Sequence, residues 1–100
     1  MNKIANVKLI SQNISYSEIG VPVSTSSTTE LIGNFQTVSA QEFYRGGELG
    51  IKPEFIIKVW DAEYNGETLL EYDGKRYIIY RTYLASDGRR ELYCQKDVGA

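Results

Sequence analysis

The chain has 100 residues, 42% hydrophobic and 24% charged, with a formal net charge of −2. That is enough apolar content for a single core in a single domain spanning 1–100, and too balanced a composition for a disordered chain. The mild acidity is the wrong sign for a protein that grips nucleic acid through its phosphates. Histidine is absent and Cys94 is the lone cysteine, which removes the commonest general base, the commonest metal ligand and any internal disulfide. No run approaches the roughly 18 apolar residues needed to span a bilayer, so no membrane association is expected. Met1–Asn6 lacks the apolar run of a secretion signal, and disulfide-free chemistry suits a reducing cytoplasm.

In chain order, Val7-Lys8-Leu9-Ile10-Ser11 reads as a first strand. Gly20 to Thr29 is polar, uncharged and without helical period, which predicts a long mobile loop. Two readings of that loop stay open: a disordered connection, or an arm that orders on a partner. Glu30 to Val38 reads as a weak second strand. Ser39 and Glu42 then have the Ser-x-x-Glu spacing of a capping box, with Val38 and Phe43 placed for the accompanying hydrophobic staple. The short helix they open is expected to end at Gly46-Gly47 after about two turns, leaving a second mobile, irregular segment over 46–52.

Three Asx-Gly dipeptides follow, Asn65-Gly66, Asp73-Gly74 and Asp87-Gly88, each between runs rich in Ile, Leu, Val, Tyr or Trp. Asx-Gly in that setting is the strongest local signal for a β-hairpin. Together they predict a four-stranded antiparallel meander over Phe55 to Lys96. Register refines this. A two-residue turn at Asp73-Gly74 sets Glu71 opposite Arg76 and Leu69 opposite Ile78. A three-residue loop with a glycine bulge sorts the faces better at Ser86-Asp87-Gly88, and the same choice at Tyr64-Asn65-Gly66 sets Glu63 against Glu67. One face then carries Phe55, Ile57, Val59, Leu69, Ile78, Tyr80, Leu84, Leu92 and Cys94 and is expected to be the core. The other carries Ile56, Lys58, Trp60, Leu70, Tyr72, Tyr77, Ile79, Arg81, Tyr83 and Tyr93. That face is aromatic and amphipathic, the composition of binding hot spots. It is covered by the helix and first strands, enclosed by barrel closure, or spent on a subunit contact.

No catalytic constellation stands out. Gly46-Gly47-Glu48-Leu49-Gly50 has neither the spacing nor the Lys-Ser/Thr of a phosphate loop. Asp61 and Glu63 read as solvated turn acids, Arg89-Arg90 as charges at a hairpin tip, and the Ser/Thr run has no base to activate it. Neither catalysis nor a cofactor or metal is expected. The expected fold is mainly β, a small antiparallel barrel or sandwich with a C-terminal four-stranded meander and one short helix.

Four pieces of this pattern, in order, resemble the head–tail joining proteins of long-tailed bacteriophages (the head-closure or stopper family). They are Ser39-Ala40-Gln41-Glu42-Phe43-Tyr44, Pro53 to Trp60, Leu70 to Ile79 around Asp73-Gly74, and Asp87 to Cys94. The resemblance implies a non-enzymatic virion component at the head–tail interface, assembled in the host cytoplasm. It implies a homo-oligomeric ring, a hexamer or dodecamer, with the portal and adaptor above and a tail protein below. Such a ring closes the channel, retains phage DNA without sequence-specific binding, and docks the tail. On this reading Trp60, Leu70, Tyr72, Tyr77, Ile79, Arg81, Tyr83 and Tyr93 are candidate subunit-interface residues. The segment Arg45, Gly46, Gly47, Glu48, Leu49, Gly50, Ile51 and Lys52 is the favoured channel-facing loop. The alternatives are a tail-completion or tail-terminator ring, and an OB- or SH3-like nucleic-acid-binding barrel using Tyr72, Tyr77 and Tyr83 as stacking surfaces.

Overall fold

The computed structural model describes residues 3–16 and 19–97. Six antiparallel strands close into a barrel: β1 (Lys3–Tyr16), β2 (Pro22–Thr37), β3 (Pro53–Trp60), β4 (Leu69–Tyr72), β5 (Lys75–Leu84) and β6 (Arg89–Lys96). Around the barrel the order is β1-β2-β3-β6-β5-β4, with β4 returning to β1. One helix, α1 (Ala40–Glu48), connects β2 to β3, and a 3-10 turn (Asp61–Glu63) follows β3. Among the described residues no helix is long and apolar enough to cross a membrane.

The barrel interior is one apolar cluster drawn from every strand, including Val7, Leu9, Leu31, Ile57, Leu70, Ile79 and Leu92. Phe35, Phe55, Tyr72 and Tyr77 fill one part of it as an aromatic group, with Phe55 and Tyr77 edge to face at 4.6 Å between centroids. Gly33 lets β2 cross close over β3. A Cβ built there would lie 2.7 Å from Ile57 Cγ2 and 3.0 Å from the Lys58 carbonyl oxygen, so only a residue without a side chain fits.

Two of the three Asx-Gly turns form as expected. Asp73 (φ 54°) and Gly74 (φ 74°) make a two-residue turn between Tyr72 and Lys75, which sets Glu71 opposite Arg76 and Leu69 opposite Ile78. Both central residues have positive φ, the primed turn that matches strand twist. At the second, the Gly88 N–H donates to the Ala85 carbonyl and the Ala85 N–H to the Arg89 carbonyl, with Gly88 at φ 82°. That is the three-residue, glycine-bulged loop.

The third does not make a hairpin. β3 pairs with β2 and β6, never with β4, so the expected meander over Phe55 to Lys96 is instead the three strands β4-β5-β6 with β3 added beyond β6. The 3-10 turn diverts the chain across the barrel end. Glu67 turns inwards, and its carboxylate accepts the Asn65 N–H at 2.7 Å while its carbonyl accepts the Tyr64 hydroxyl at 2.8 Å. The Glu63–Glu67 confrontation of a 64–66 hairpin is thereby avoided.

A bulge in β5 corrects the face assignment. Ile79 stands opposite Cys94 and Arg81 opposite Tyr93, so Tyr80 is the extra residue. Thr82 shares the inner face with Leu92, but before the bulge the parity reverses. Ile79, Tyr77 and, through β4, Leu70 and Tyr72 point into the barrel. Leu69 and Ile78, expected in the core, form a row with Ile10 on the outer face of the sheet, where Ile10 is buried and the other two are half-buried. Tyr80 also faces outwards. Leu84 lies on the inner side but beyond the barrel rim, and is exposed. The expected core residues Phe55, Ile57, Val59, Leu92 and Cys94 are where the pattern put them.

The N-terminal half differs most from expectation. The segment read as a loop at 20–29 is strand from Pro22 onwards, in unbroken register with β1 from Lys3↔Phe35 to Tyr16↔Pro22. Among the described residues, only Val7–Ile10 of β1 also pair with β4, and only Asn34–Thr37 of β2 also pair with β3. Beyond these, β1 and β2 run on as a two-stranded ribbon.

Candidate functional site

The expected interface residues separate into two groups. Leu70 is fully buried and Ile79 is 7% exposed, while Tyr72 and Tyr77 pack against the same core, so these four belong to the barrel interior and not to a subunit surface. Trp60, Arg81, Tyr83 and Tyr93 remain outside, on the β3-β6-β5 side. Trp60, 54% exposed, stands opposite Arg89, whose guanidinium lies 4.4 Å from its ring centroid. A cleft of about 450 Å³ separates this end of β3 from β2 where the two strands part, with Ile4 and Ile32 exposed on its wall.

Arg89 and Arg90 are therefore not free charges at a tip. The Arg90 Nε donates to Asp61 Oδ1 at 2.6 Å and its Nη1 to Thr82 Oγ1 at 3.0 Å, closing one end of the barrel. Asp61, read from sequence as a solvated acid, is the partner. Asp87 likewise accepts the Arg89 N–H and pairs with Lys58 at 3.0 Å, and these contacts hold its carboxyl below the usual range.

The second exposed area is built around α1. Ser39 caps the helix by accepting the Glu42 N–H at 3.1 Å, as its spacing predicts. The Glu42 carboxylate does not turn back to complete a capping box. It accepts the Tyr80 hydroxyl at 2.7 Å and the Arg81 Nε at 3.2 Å, and pairs with Arg81 Nη2. The β5 bulge makes this possible, because it turns two consecutive side chains to the same outer side. Arg81 in turn lies 3.7 Å over the Tyr93 ring. The guanidinium is the main reason the Glu42 carboxyl sits below its ordinary value, and burial with the Glu42 bond pushes the Tyr80 hydroxyl up. Tyr93 is raised to about 12 by burial and by its bond to Glu91.

The expected channel-facing loop at Arg45 to Lys52 is largely ordered by this helix. Arg45, Gly46, Gly47 and Glu48 are helical, so Gly46-Gly47 does not end α1. The end comes at Gly50 (φ 77°), where the Ile51 N–H donates to the Gly46 carbonyl at 2.7 Å and the Gly50 N–H to that of Gly47 at 3.1 Å. This is a Schellman cap, with the left-handed residue supplied by glycine. Gly46 is buried against Pro53, Leu49 is 73% exposed in the turn, and Ile51 and Lys52 lead into β3. Phe43, placed by sequence to staple onto Val38, and Tyr44 stand exposed with their rings 6.0 Å apart.

Sequence reasoning missed the Tyr80 bulge, the Glu42 clamp and the ribbon. The Ser-x-x-Glu spacing marked Glu42, though for a different partner. Among the described residues no group of three or more His, Cys, Asp or Glu side chains could hold a metal ion. Cys94 is buried, its thiol pushed up by desolvation, the opposite of an activated nucleophile. No protein-family model matches the chain, and no curated protein matches it.

Proposed function

We propose that this protein is a non-enzymatic structural subunit of a phage head–tail connector. It forms a homo-oligomeric ring beneath the portal and adaptor, retains packaged DNA without sequence-specific contacts, and presents a surface to the tail. The reading starts from the ordered resemblance over Val38 to Gly99, and one structural observation supports it most. The barrel is closed and needs no further cover, yet Trp60, Tyr83, Phe43, Tyr44 and Leu49 are all about half exposed or more. Large apolar and aromatic side chains left outside a complete core are the residue types that protein partners bury. The net charge of −2 is compatible with a channel component that must release DNA, because each Lys or Arg on a phosphate adds affinity.

The test is binding to DNA-filled, tailless heads that carry portal and adaptor. The expected result is a stoichiometric ring at the portal vertex that protects the DNA from leakage and nuclease. Failure to bind such heads, with binding to isolated tails instead, would move the protein to the tail-completion role. Salt-sensitive binding of free single-stranded DNA would favour a nucleic-acid barrel.

A further inference from the structure

The ribbon has two unused edges. From Pro22 to Gly33, β2 pairs with β1 on one side and, among the described residues, with no strand on the other; from Ser11 to Tyr16 the same is true of β1. Such an edge presents a row of unpaired N–H and C=O groups, and soluble proteins normally protect it with charge, a bulge or proline. This ribbon has almost none of that protection. Between Ser11 and Thr29 the one charged residue is Glu18 and the one proline is Pro22. The register is continuous with no bulge, and the stretch is rich in Ser, Thr, Val and Ile. Charge returns where the barrel begins, with Lys8 3.7 Å from Glu71 and 4.0 Å from Glu30.

We infer that these edges are strand-addition sites for a second copy of this chain, the open edge of β2 in one copy taking the open edge of β1 in the next. Geometry selects this occupant. The two open edges lie on opposite sides of one ribbon, and β1 and β2 run in opposite directions. Ribbons that point the same way therefore join β2 to β1 as an antiparallel pair, and each copy uses both edges. A two-fold β2–β2 contact would leave every β1 edge open, and a foreign strand would satisfy one edge only. Head-to-tail contacts of this kind close into a ring when the rotation between copies divides a full turn. The inference supplies the subunit contact of the proposed connector and rests on that reading only for the closure.

The experiment uses proline, which removes one backbone donor. Along each strand alternate residues direct their N–H groups to the hairpin partner or to the open edge. Of Thr28→Pro and Thr29→Pro, one blocks the β2 edge while sparing the β1–β2 pairing, and the same holds for Gln12→Pro and Asn13→Pro on β1. In each pair the variant that melts like wild type is taken forward. Native mass spectrometry of the concentrated wild-type protein should show oligomers. Each blocked variant alone should be monomeric, and an equal mixture of the two should give a dimer, twice the 11.3 kDa of one chain, and nothing larger. A monomeric wild type, a β2-blocked variant that assembles as wild type does, or a mixture that stays monomeric would each overturn the inference. Blocked variants that still form rings on the portal–adaptor platform would sink the edge contact and leave the connector reading standing. Edge-dependent oligomers that ignore the platform would do the reverse.

Discussion

The same two strands behave as two different materials. At one end, Lys3–Ile10 and Leu31–Thr37, β1 and β2 join β4 and β3, enclose Ala5, Val7, Leu9 and Leu31, and close the barrel. At the other, Ser11–Tyr16 and Pro22–Ser27 pair, among the described residues, only with each other. Barrel closure gives each strand two neighbours and a buried face, whereas a lone two-stranded ribbon is marginal in water. The molecule thus couples a self-sufficient body to an arm whose hydrogen-bonding capacity is half used. Its long axis of 51 Å against 30 and 25 Å reflects that elongation.

The body breaks first through its interior. Leu70→Ala removes a fully buried side chain and should cost about 2–5 kcal/mol in urea unfolding. Tyr77→Ala, which empties the space beside Phe55, should cost roughly 2–4 kcal/mol, while Trp60→Ala on the outer face should change stability by about 1 kcal/mol or less. The face pattern read from the sequence makes Tyr77 and Trp60 equivalents. Equal costs for the two would restore that assignment against the bulged one. Next in size is Gly33→Ala. The added Cβ meets Ile57 and the Lys58 backbone at the β2–β3 crossing, which should cost about 1–3 kcal/mol and weaken barrel closure without touching the arm.

What the sequence made legible divides along local and long-range lines. Asp73-Gly74 and Ser86-Asp87-Gly88 specify their turns within four or five residues, and Ser39 specifies its cap within three, so all three could be read directly. The Tyr80 bulge has no glycine to announce it. Its side chain is held by Glu42, 38 residues away, and a periodicity argument along β5 cannot see that partner. Strict alternation without the bulge inverts the faces of β4 and half of β5, and so places the buried Leu70 and Ile79 outside. Asn65-Gly66 carries the same local signal as the true hairpins. It was diverted because Glu67 supplies the partners for that turn and β3 finds a better neighbour in β6. The ribbon was hidden for another reason: Ser and Thr dominate 22–29, and that run has no apolar alternation to display.

The Glu42 clamp should give a smaller effect and a pH signature. Arg81 depresses the folded-state pKa of Glu42, so the stabilisation is complete above the unfolded carboxylate pKa. It is lost as pH falls through the lower folded value. Because the Arg81 side chain is 44% exposed, Glu42→Gln should cost only about 1 kcal/mol at neutral pH. The urea midpoints of wild type and variant should converge in acid. A gap that persists in acid, once Glu42 has lost its charge, would assign the contact to packing of α1 against Tyr80 and Arg81 of β5 and not to charge.

The smallest expected effect is the most direct test of the division into body and arm. Ser11 and Ser27 face each other in register, so replacing residues 12–26 by Asn-Gly should close the shortened hairpin through a two-residue primed turn. Every described member of the barrel core cluster lies outside the deleted stretch, and the β1–β4 and β2–β3 pairings are all retained. The truncated protein should therefore unfold within about 1 kcal/mol of wild type, since ribbon hydrogen bonds largely exchange for bonds to water. It should also lose the self-association assigned to the ribbon edges. In the intact protein, amide exchange should be fast over 12–16 and 22–27 and slow over 5–10 and 55–59, because the ribbon can open by breaking one ladder while the barrel strands stay paired. A large loss of stability on truncation would show that the arm helps to hold the barrel shut. The unpaired edges would then belong to the folding of one chain, and their lack of charge would need a cause inside the monomer.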